Sequence, residues 1–464
     1  YIAALFLFTS PSFADWQASW IGPVGGPTVG LRDSEGEIEI QRARYQALGS
    51  ESKYVDLLDK IKTQVNAAIY VVAATNEYAG ADPLDGSRKA LEIEYTLDGV
   101  PQKVSLKEKR ELDLRTGTVR TASGQVGVNQ WICYRKTINL AKPEDSAVAR
   151  ISADSKYWLW INGELVVFEG QLKRGPTPND TYYDTVDLKP YLVAGENTIA
   201  VLLWYFGKNG FSHNSSGEAG FLFDADIDGS KLLSDDSWKV LRHPAYGNTG
   251  EPHPNYRLPE SNLHFDARKD IPGWQAPGYD DAFWPHAGVY GQAPCAPWNQ
   301  LIERPIPLWK DYGLKEYVNA AELPEVSDGQ VIQAMLPYNA QVTPYLIVEG
   351  PAGQLIDIRT DNYRGGGPTN IRAEYVSRDG MQAYESLGWM NGHEVYYTIP
   401  AGFKIHALKY RETGYDTEFT GTFECSDDFL NRYRQKALRT LYINMRDTYM
   451  DCPDRERAQW WGDV

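Results

Sequence analysis

From Asp15 onward, apolar and polar positions alternate over short runs separated by turn-forming residues, the signature of β-strands with one buried face. Trp16-Gln-Ala-Ser-Trp20-Ile-Gly22 opens the pattern, which resumes over residues 129–136 and 147–152. Tyr157-Trp-Leu-Trp-Ile161 is an alternating strand that runs into the turn dipeptide Asn162-Gly163. Residues 192–197 form a turn that feeds an apolar run over residues 198–204, which reads as a buried strand. A second β-rich stretch covers residues 305–422, with strands expected over 354–359, 394–399 and 404–410. Short strands with regular turn signals point to β-sandwiches rather than to a parallel α/β sheet.

Two stretches break the pattern. Residues 31–118 interrupt the first sandwich: charged text with helical character over 37–62 is followed by strands over 67–73 and 89–95 and by an Asp98-Gly99 turn. This reads as an inserted small β domain or elaborated loop with no chemistry of its own. At Ser426 the period changes from two to nearly four. Phe429, Tyr433, Ala437, Leu441 and Met445 recur every four residues with Leu430 and Leu438 beside them, so an amphipathic helix is expected to about Arg446. Ser426 is the expected N-cap, and Asp427 and Asp428 complement the helix dipole in the first turn.

The expected organisation is therefore mainly β. Residues 15–30 and 119–245 form a first jelly-roll-like sandwich around the insertion at 31–118. Residues 246–304, punctuated by Pro and Trp, form a connector. Residues 305–422 form a second sandwich, and 423–464 open a helical domain. A chain of 464 residues fits roughly three domains.

Composition narrows the function. A net charge of −16 without a basic run argues against a nucleic-acid partner, which requires clustered Lys and Arg. The 14 Trp and 30 Tyr suit stacking on the C–H faces of sugars, and equally the filling of sandwich cores. Cys133, Cys295, Cys425 and Cys452 are widely spaced, form no CxxC pair, and leave a single disulfide undecided.

Both ends read as interruptions. Residues 1–14 have an apolar run from Ile2 to Phe8, too short to span a bilayer, and end in Ser12-Phe13-Ala14, as the back half of a signal peptide would. Export to the periplasm or medium of a bacterium is expected, with the reading frame beginning upstream. Val464 follows a dense polar motif with no tail, as though a domain were cut in its first turns.

That motif is the chemical centre of the sequence. Residues 447–463 hold Asp447, Asp451, Asp454, Glu456 and Asp463 together with two Arg and the adjacent Trp460 and Trp461. Glycoside hydrolysis needs one carboxylic acid that stays protonated and a second carboxylate opposite it. Neighbouring acids would favour the protonated form and the arginines would oppose it, a balance the residues alone leave open.

Asp451-Cys-Pro-x-Arg455-Glu456-Arg-x-x-Trp460-x-Gly-Asp463 closely resembles the signature of glycoside hydrolase family 78, the bacterial α-L-rhamnosidases. More loosely, residues 16–22 resemble the family's opening and 157–203 its N-terminal sugar-binding-type sandwich. Residues 422–431 resemble the entry to its (α/α)6 barrel, whereas 31–118 match nothing in the family core. The resemblance implies inverting hydrolysis of terminal non-reducing α-L-rhamnosyl residues, with Glu456 as general acid. Asp451 and Asp463 would bind sugar hydroxyls and tune Glu456, Arg455 would donate hydrogen bonds, and Trp460 would face the rhamnose methyl. Trp461, grouped with these substrate-binding residues, stands where many members carry a smaller polar residue, and Gln459 where they often carry Gly, so the sugar and aglycone stay open. The family's general base is a carboxylate far downstream, so the 464-residue chain by itself is expected to be inactive. A rhamnose-containing glycan or glycoside is the implied partner, with no membrane span.

A weaker pair, Asn179 and Asp180, lies with Asn162-Gly163 and the Tyr182-Tyr183-Asp184 run on loops like those of calcium-dependent rhamnose-binding modules. No cofactor is otherwise required, and calcium there competes with simple turn bonding. A glycosidase of the same helical-barrel clan with another sugar, and a non-catalytic carbohydrate-binding protein, are the alternatives.

Overall fold

A computed structural model describes residues 16–23, 38–50, 52–66, 70–97, 99–114, 119–121, 129–142, 145–170, 172, 175–177, 180–207, 210–249, 263–361, 371–454, 456–460 and 462. The expected signal segment at 1–14 therefore falls outside the described residues.

The first sandwich pairs a seven-stranded sheet with a five-stranded one. The larger is ordered Gly288–Gln292, Ser19–Gly22, Phe221–Ile227, Ala147–Ala153, Thr181–Asp187 and Leu301–Glu303, with Ser230–Leu233 paired to Phe221–Ile227. The smaller is ordered Glu164–Val167, Lys156–Ile161, Gly195–Tyr205, Gln130–Leu140 and Lys239–Arg242. Asn162 (φ 54°) and Gly163 (φ 84°) make the tight turn after Lys156–Ile161, both in the left-handed region that such a hairpin requires.

Strand Gly195–Tyr205 explains why its sequence reads as one apolar run. Ile199, Val201 and Leu203 face the core between the two sheets, with Tyr157, Leu159, Phe221 and Trp238. Ala200, Leu202 and Trp204 face outward into a second core that includes Trp131, Trp158, Val342, Ile356 and Tyr397. The five-stranded sheet is thus buried on both faces, which removes the polar half of the alternation.

That second core belongs to a nine-stranded sheet covering the latter half of the chain. Its long strand Val331–Gly350 pairs with Met390–Thr398 along its first part and with Gly380–Glu385 along its last, and Lys404–Gly414 flanks it. The segment read as a connector supplies strands to both units. Tyr246–Asn248 and Leu263–Asp266 join the nine-stranded sheet, while Gly288–Gln292 and Leu301–Glu303 complete the first sandwich.

The insertion has its own core, built from residues such as Tyr45, Ile61, Val72, Leu91 and Ile93. Within it, the helical reading of 37–62 is corrected. Ile38–Ala47 is a strand in which Ile40, Ala43, Tyr45 and Ala47 are buried, with a register shift between Ile40 and Arg42, and the helix is only Leu58–Asn66. The bulge moves the apolar positions out of strict alternation, which made charged text look helical.

The last element is the helix Asp428–Ile443. Asp427 caps it in place of Ser426, accepting from the Phe429 N–H at 2.8 Å. Its C-terminal end is pinned to the nine-stranded sheet. Arg439 pairs with Glu412 at 3.0 Å, the Tyr442 and Tyr312 hydroxyls meet at 2.8 Å, and Gln341 donates to the Ile443 carbonyl at 2.6 Å. Phe429, Leu430, Tyr433 and Leu441, the apolar stripe read from the sequence, remain exposed. Among the described residues the four cysteines form no disulfide. No helix among the described residues is long and apolar enough to cross a membrane.

Candidate active site

The chain leaves the helix at Asn444 and folds into a closed loop. The Met450 N–H donates to the Asn444 carbonyl (2.7 Å), and the Asp451 N–H donates to the Ala458 carbonyl (2.8 Å). Asp451 Oδ1 accepts in return from the Ala458 N–H at 3.2 Å, so its carboxylate ties the two ends of the loop together. Its other oxygen accepts from the Cys452 thiol at 3.1 Å.

Within this loop Glu456 and Arg457 reach different partners. Glu456 is buried, and its Oε2 accepts from the indole N–H of Trp460 at 2.8 Å. Arg457 occupies the left-handed backbone region (φ 54°), uncommon for a residue with a Cβ. Its guanidinium lies 3.3 Å from the centre of the Trp389 ring and donates to the carbonyls of Pro453 (2.7 Å) and Trp389 (3.0 Å). Arg457 is thereby anchored to the nine-stranded sheet. Trp460 itself is 41% exposed, and its ring centre lies 5.6 Å from that of Phe211, a residue of the first sandwich with the same exposure.

Behind the loop, three parts of the fold meet through buried charge. Arg446 is sandwiched between Trp309 (4.6 Å) and Trp389 (4.7 Å). It donates to Gln341 (2.6 Å), Thr413 (3.3 Å) and Glu169 (3.2 Å). Glu169, from the first sandwich, also accepts from Lys156 at 2.9 Å. Arg304 lies 2.6 Å from Asp184 and 3.4 Å from Asp447, and Asp184 accepts from the Tyr157 hydroxyl at 2.8 Å. Burial pushes the Tyr157 phenol well above its ordinary range, and the Asp184 carboxylate beside it adds to the effect. The cleft among Lys156, Glu169, Trp389, Arg446 and Arg457 measures about 20 Å³, room for about one water and too little for a sugar.

Of the residues read from the sequence, the structure brings Glu456 and Trp460 into direct contact and gives Asp451 a loop-closing role. Arg455, Trp461 and Asp463 lie outside the described residues, as does Asn179. Asp180 accepts from the Thr177 hydroxyl (2.7 Å) and the Gln300 N–H (3.3 Å). Asn162 bonds the Tyr191 carbonyl, the Asn197 side chain and the Thr198 N–H, which is turn chemistry. Asp184 is spent on Arg304. No group of three or more His, Cys, Asp or Glu that could hold a metal occurs among the described residues. Sequence reasoning missed Phe211, Glu169 and Trp389, which sit far from the motif along the chain, and Arg446, whose place just before the motif was a usable signal.

The family model described as the α-L-rhamnosidase N-terminal domain matches residues 142–306. The model of the bacterial α-L-rhamnosidase six-hairpin glycosidase domain matches residues 418–464, the helix and loop that hold Glu456. Over these two stretches the chain is similar to bacterial α-L-rhamnosidases. An α-L-rhamnosidase of Formosa agariphila is 26% identical over 378 residues, covering 71% of this chain and 36% of the relative. The chain thus spans about a third of that relative's length. Among solved structures, the family 78 rhamnosidase of Bacillus sp. GL1 aligns with a TM-score of 0.60 at 18% identity, over 72% of this chain and 59% of that one. The Streptomyces avermitilis α-L-rhamnosidase in complex with L-rhamnose aligns with a TM-score of 0.59 at 17% identity, over 96% of this chain and 49% of that one. These two likenesses speak to the fold alone.

Proposed function

We propose that this chain carries the acid-bearing wall of an α-L-rhamnosidase that releases terminal non-reducing α-L-rhamnosyl residues from glycans or glycosides with inversion. The observation that carries the reading is Glu456. It is a buried carboxyl group held by the Trp460 indole N–H, on the loop that the six-hairpin glycosidase model matches.

In this reading Glu456 delivers its proton to the glycosidic oxygen as the C–O bond breaks. A water molecule, activated by a second carboxylate about 6.5–9.5 Å away, adds to the anomeric carbon from the opposite face. Trp460 and Phe211 supply the apolar wall against which the sugar rests. The second carboxylate belongs to the helical barrel, whose packing would also cover Phe429, Leu430, Tyr433 and Leu441. Export is the compartment that the apolar segment at 2–8 and the Ser12-Phe13-Ala14 sequence support.

The test is hydrolysis of a panel of aryl glycosides by the longest natural form of the protein that contains this chain, beside its Glu456→Gln variant. Selective cleavage of the α-L-rhamnoside is expected, with β-L-rhamnose as first product. The variant should lose about 10²–10⁴-fold in rate, the usual worth of a general acid. Cleavage of another sugar would overturn the substrate, and unchanged activity of Glu456→Gln would overturn the acid.

A further inference from the structure

A cavity of about 350 Å³ opens between the outer face of the five-stranded sheet, the segment 267–275 and the nine-stranded sheet. Its size falls in the range of small-molecule sites, about 300–1,000 Å³. It is remote in sequence from the Glu456 loop, and no residue of that loop lines it. It also lies on the opposite sheet of the first sandwich from the strand that Asp180 precedes.

Its lining combines aromatic faces with a few convergent polar groups. Trp160 and Trp274 meet edge to face at 5.7 Å, and Tyr246 stands beside His243 at 4.8 Å. The His243 side chain is buried, only 3% exposed, and its Nδ1 accepts from the Ala245 N–H at 3.3 Å. The ring proton is therefore assigned to Nε2. Nε2 faces Asp270 Oδ1 at 3.6 Å, beyond hydrogen-bond reach. Burial pushes His243 down to about 3, so the ring is a neutral donor, and burial also raises the Asp270 carboxyl above its ordinary value. Asp270 Oδ1 accepts from the Ile271 N–H at 2.8 Å. Arg378, exposed at the rim, adds a guanidinium, while Glu385 is taken up by Arg411 at 2.7 Å. One carboxylate and one guanidinium cancel, which disfavours a strongly charged ligand. Aromatic faces beside a donor and an acceptor suit a neutral ring bearing both C–H faces and hydroxyl groups.

We propose that this cavity is a second saccharide site, which holds a single neutral pyranose unit against Trp160 and Trp274 and bonds its hydroxyls to His243 and Asp270. It would anchor a glycan on the protein without touching the bond that is cut, and it stands whether or not Glu456 is the acid.

Binding is read without turnover, by saturation-transfer NMR and tryptophan fluorescence on the full chain. The probes are L-rhamnose, L-fucose, D-galactose, D-glucose and methyl α-L-rhamnoside. At least one should bind, with Kd raised about tenfold or more, a loss of about 1.4 kcal/mol, in both Asp270→Asn and Trp160→Ala. Trp460→Ala should leave that Kd unchanged. Asp270 is partly exposed and Asn is isosteric with it, so this variant keeps the proposal testable if Trp160→Ala fails to fold. Three results would each overturn the site: no binding by any probe, binding indifferent to Asp270→Asn, or binding lost in Trp460→Ala.

Discussion

Replacing Glu169 by Gln tests the claim that buried charge holds the acid-bearing loop to the first sandwich. Glu169 is 2% exposed and in the left-handed backbone region (φ 61°), so its position is set by the fold around it. Its carboxylate takes Lys156 at 2.9 Å and Arg446 at 3.2 Å, both of them buried. Each hydrogen bond to a charged group is worth about 1.5–3 kcal/mol, so losing the charge from two of them costs about 3–6 kcal/mol. The independent rule for removing one partner of a buried ion pair gives about 3–5 kcal/mol. The two routes agree, and about 3–5 kcal/mol is expected for Glu169→Gln.

Lys156→Met should cost less, about 1.5–3 kcal/mol, because Glu169 loses one of its two cations and stays paired with Arg446. Urea unfolding followed by tryptophan fluorescence is a suitable assay, since Trp309 and Trp389 lie against Arg446 and report on its release. A loss below about 1 kcal/mol for Glu169→Gln, the scale of a surface pair, would refute the reasoning. So would an equal cost for the two substitutions.

Two further outcomes follow from single contacts. Trp460→Phe keeps the ring beside Phe211 but removes the N–H that Glu456 accepts, so kcat/KM on an aryl α-L-rhamnoside should fall about 10- to 100-fold in the longest natural form. A change below about threefold would show that the bond does not serve the reaction. For His243, the unfolded chain takes up a proton near pH 6.5 that the folded chain takes up only near pH 3. Stability should therefore fall as the pH drops through that window, by at most about 1.4 kcal/mol per pH unit. The groups facing the ring are Asp270 at 3.6 Å and Tyr246 at 4.8 Å. His243→Gln should flatten this part of the pH–stability curve, and an unchanged slope would mean the ring is protonated in the fold.

What could be read from the sequence follows from which forces are local. Strand Lys156–Ile161 and the Asn162-Gly163 turn were legible because side-chain alternation and left-handed backbone are properties of adjacent residues. Ile38–Ala47 was misread because one bulge shifts the alternation, and a bulge is set by the partner strand rather than by the strand itself. The same division governs the site. Glu456 and Trp460 lie four residues apart and were found together, whereas Phe211 and Glu169 reach the loop only through the packing of two sheets on a shared core. The outward face of strand Gly195–Tyr205 shows why. Its Leu202 and Trp204 look like any buried strand residues, and nothing in their order says that the core they enter belongs to a different sheet. Yet that shared core is what fixes the first sandwich against the nine-stranded sheet, on which the helix leading into the acid-bearing loop rests. Loosening it by Trp204→Ala should therefore disturb Trp460 by way of Phe211 before it disturbs the Asp451–Ala458 clasp, which the loop makes for itself.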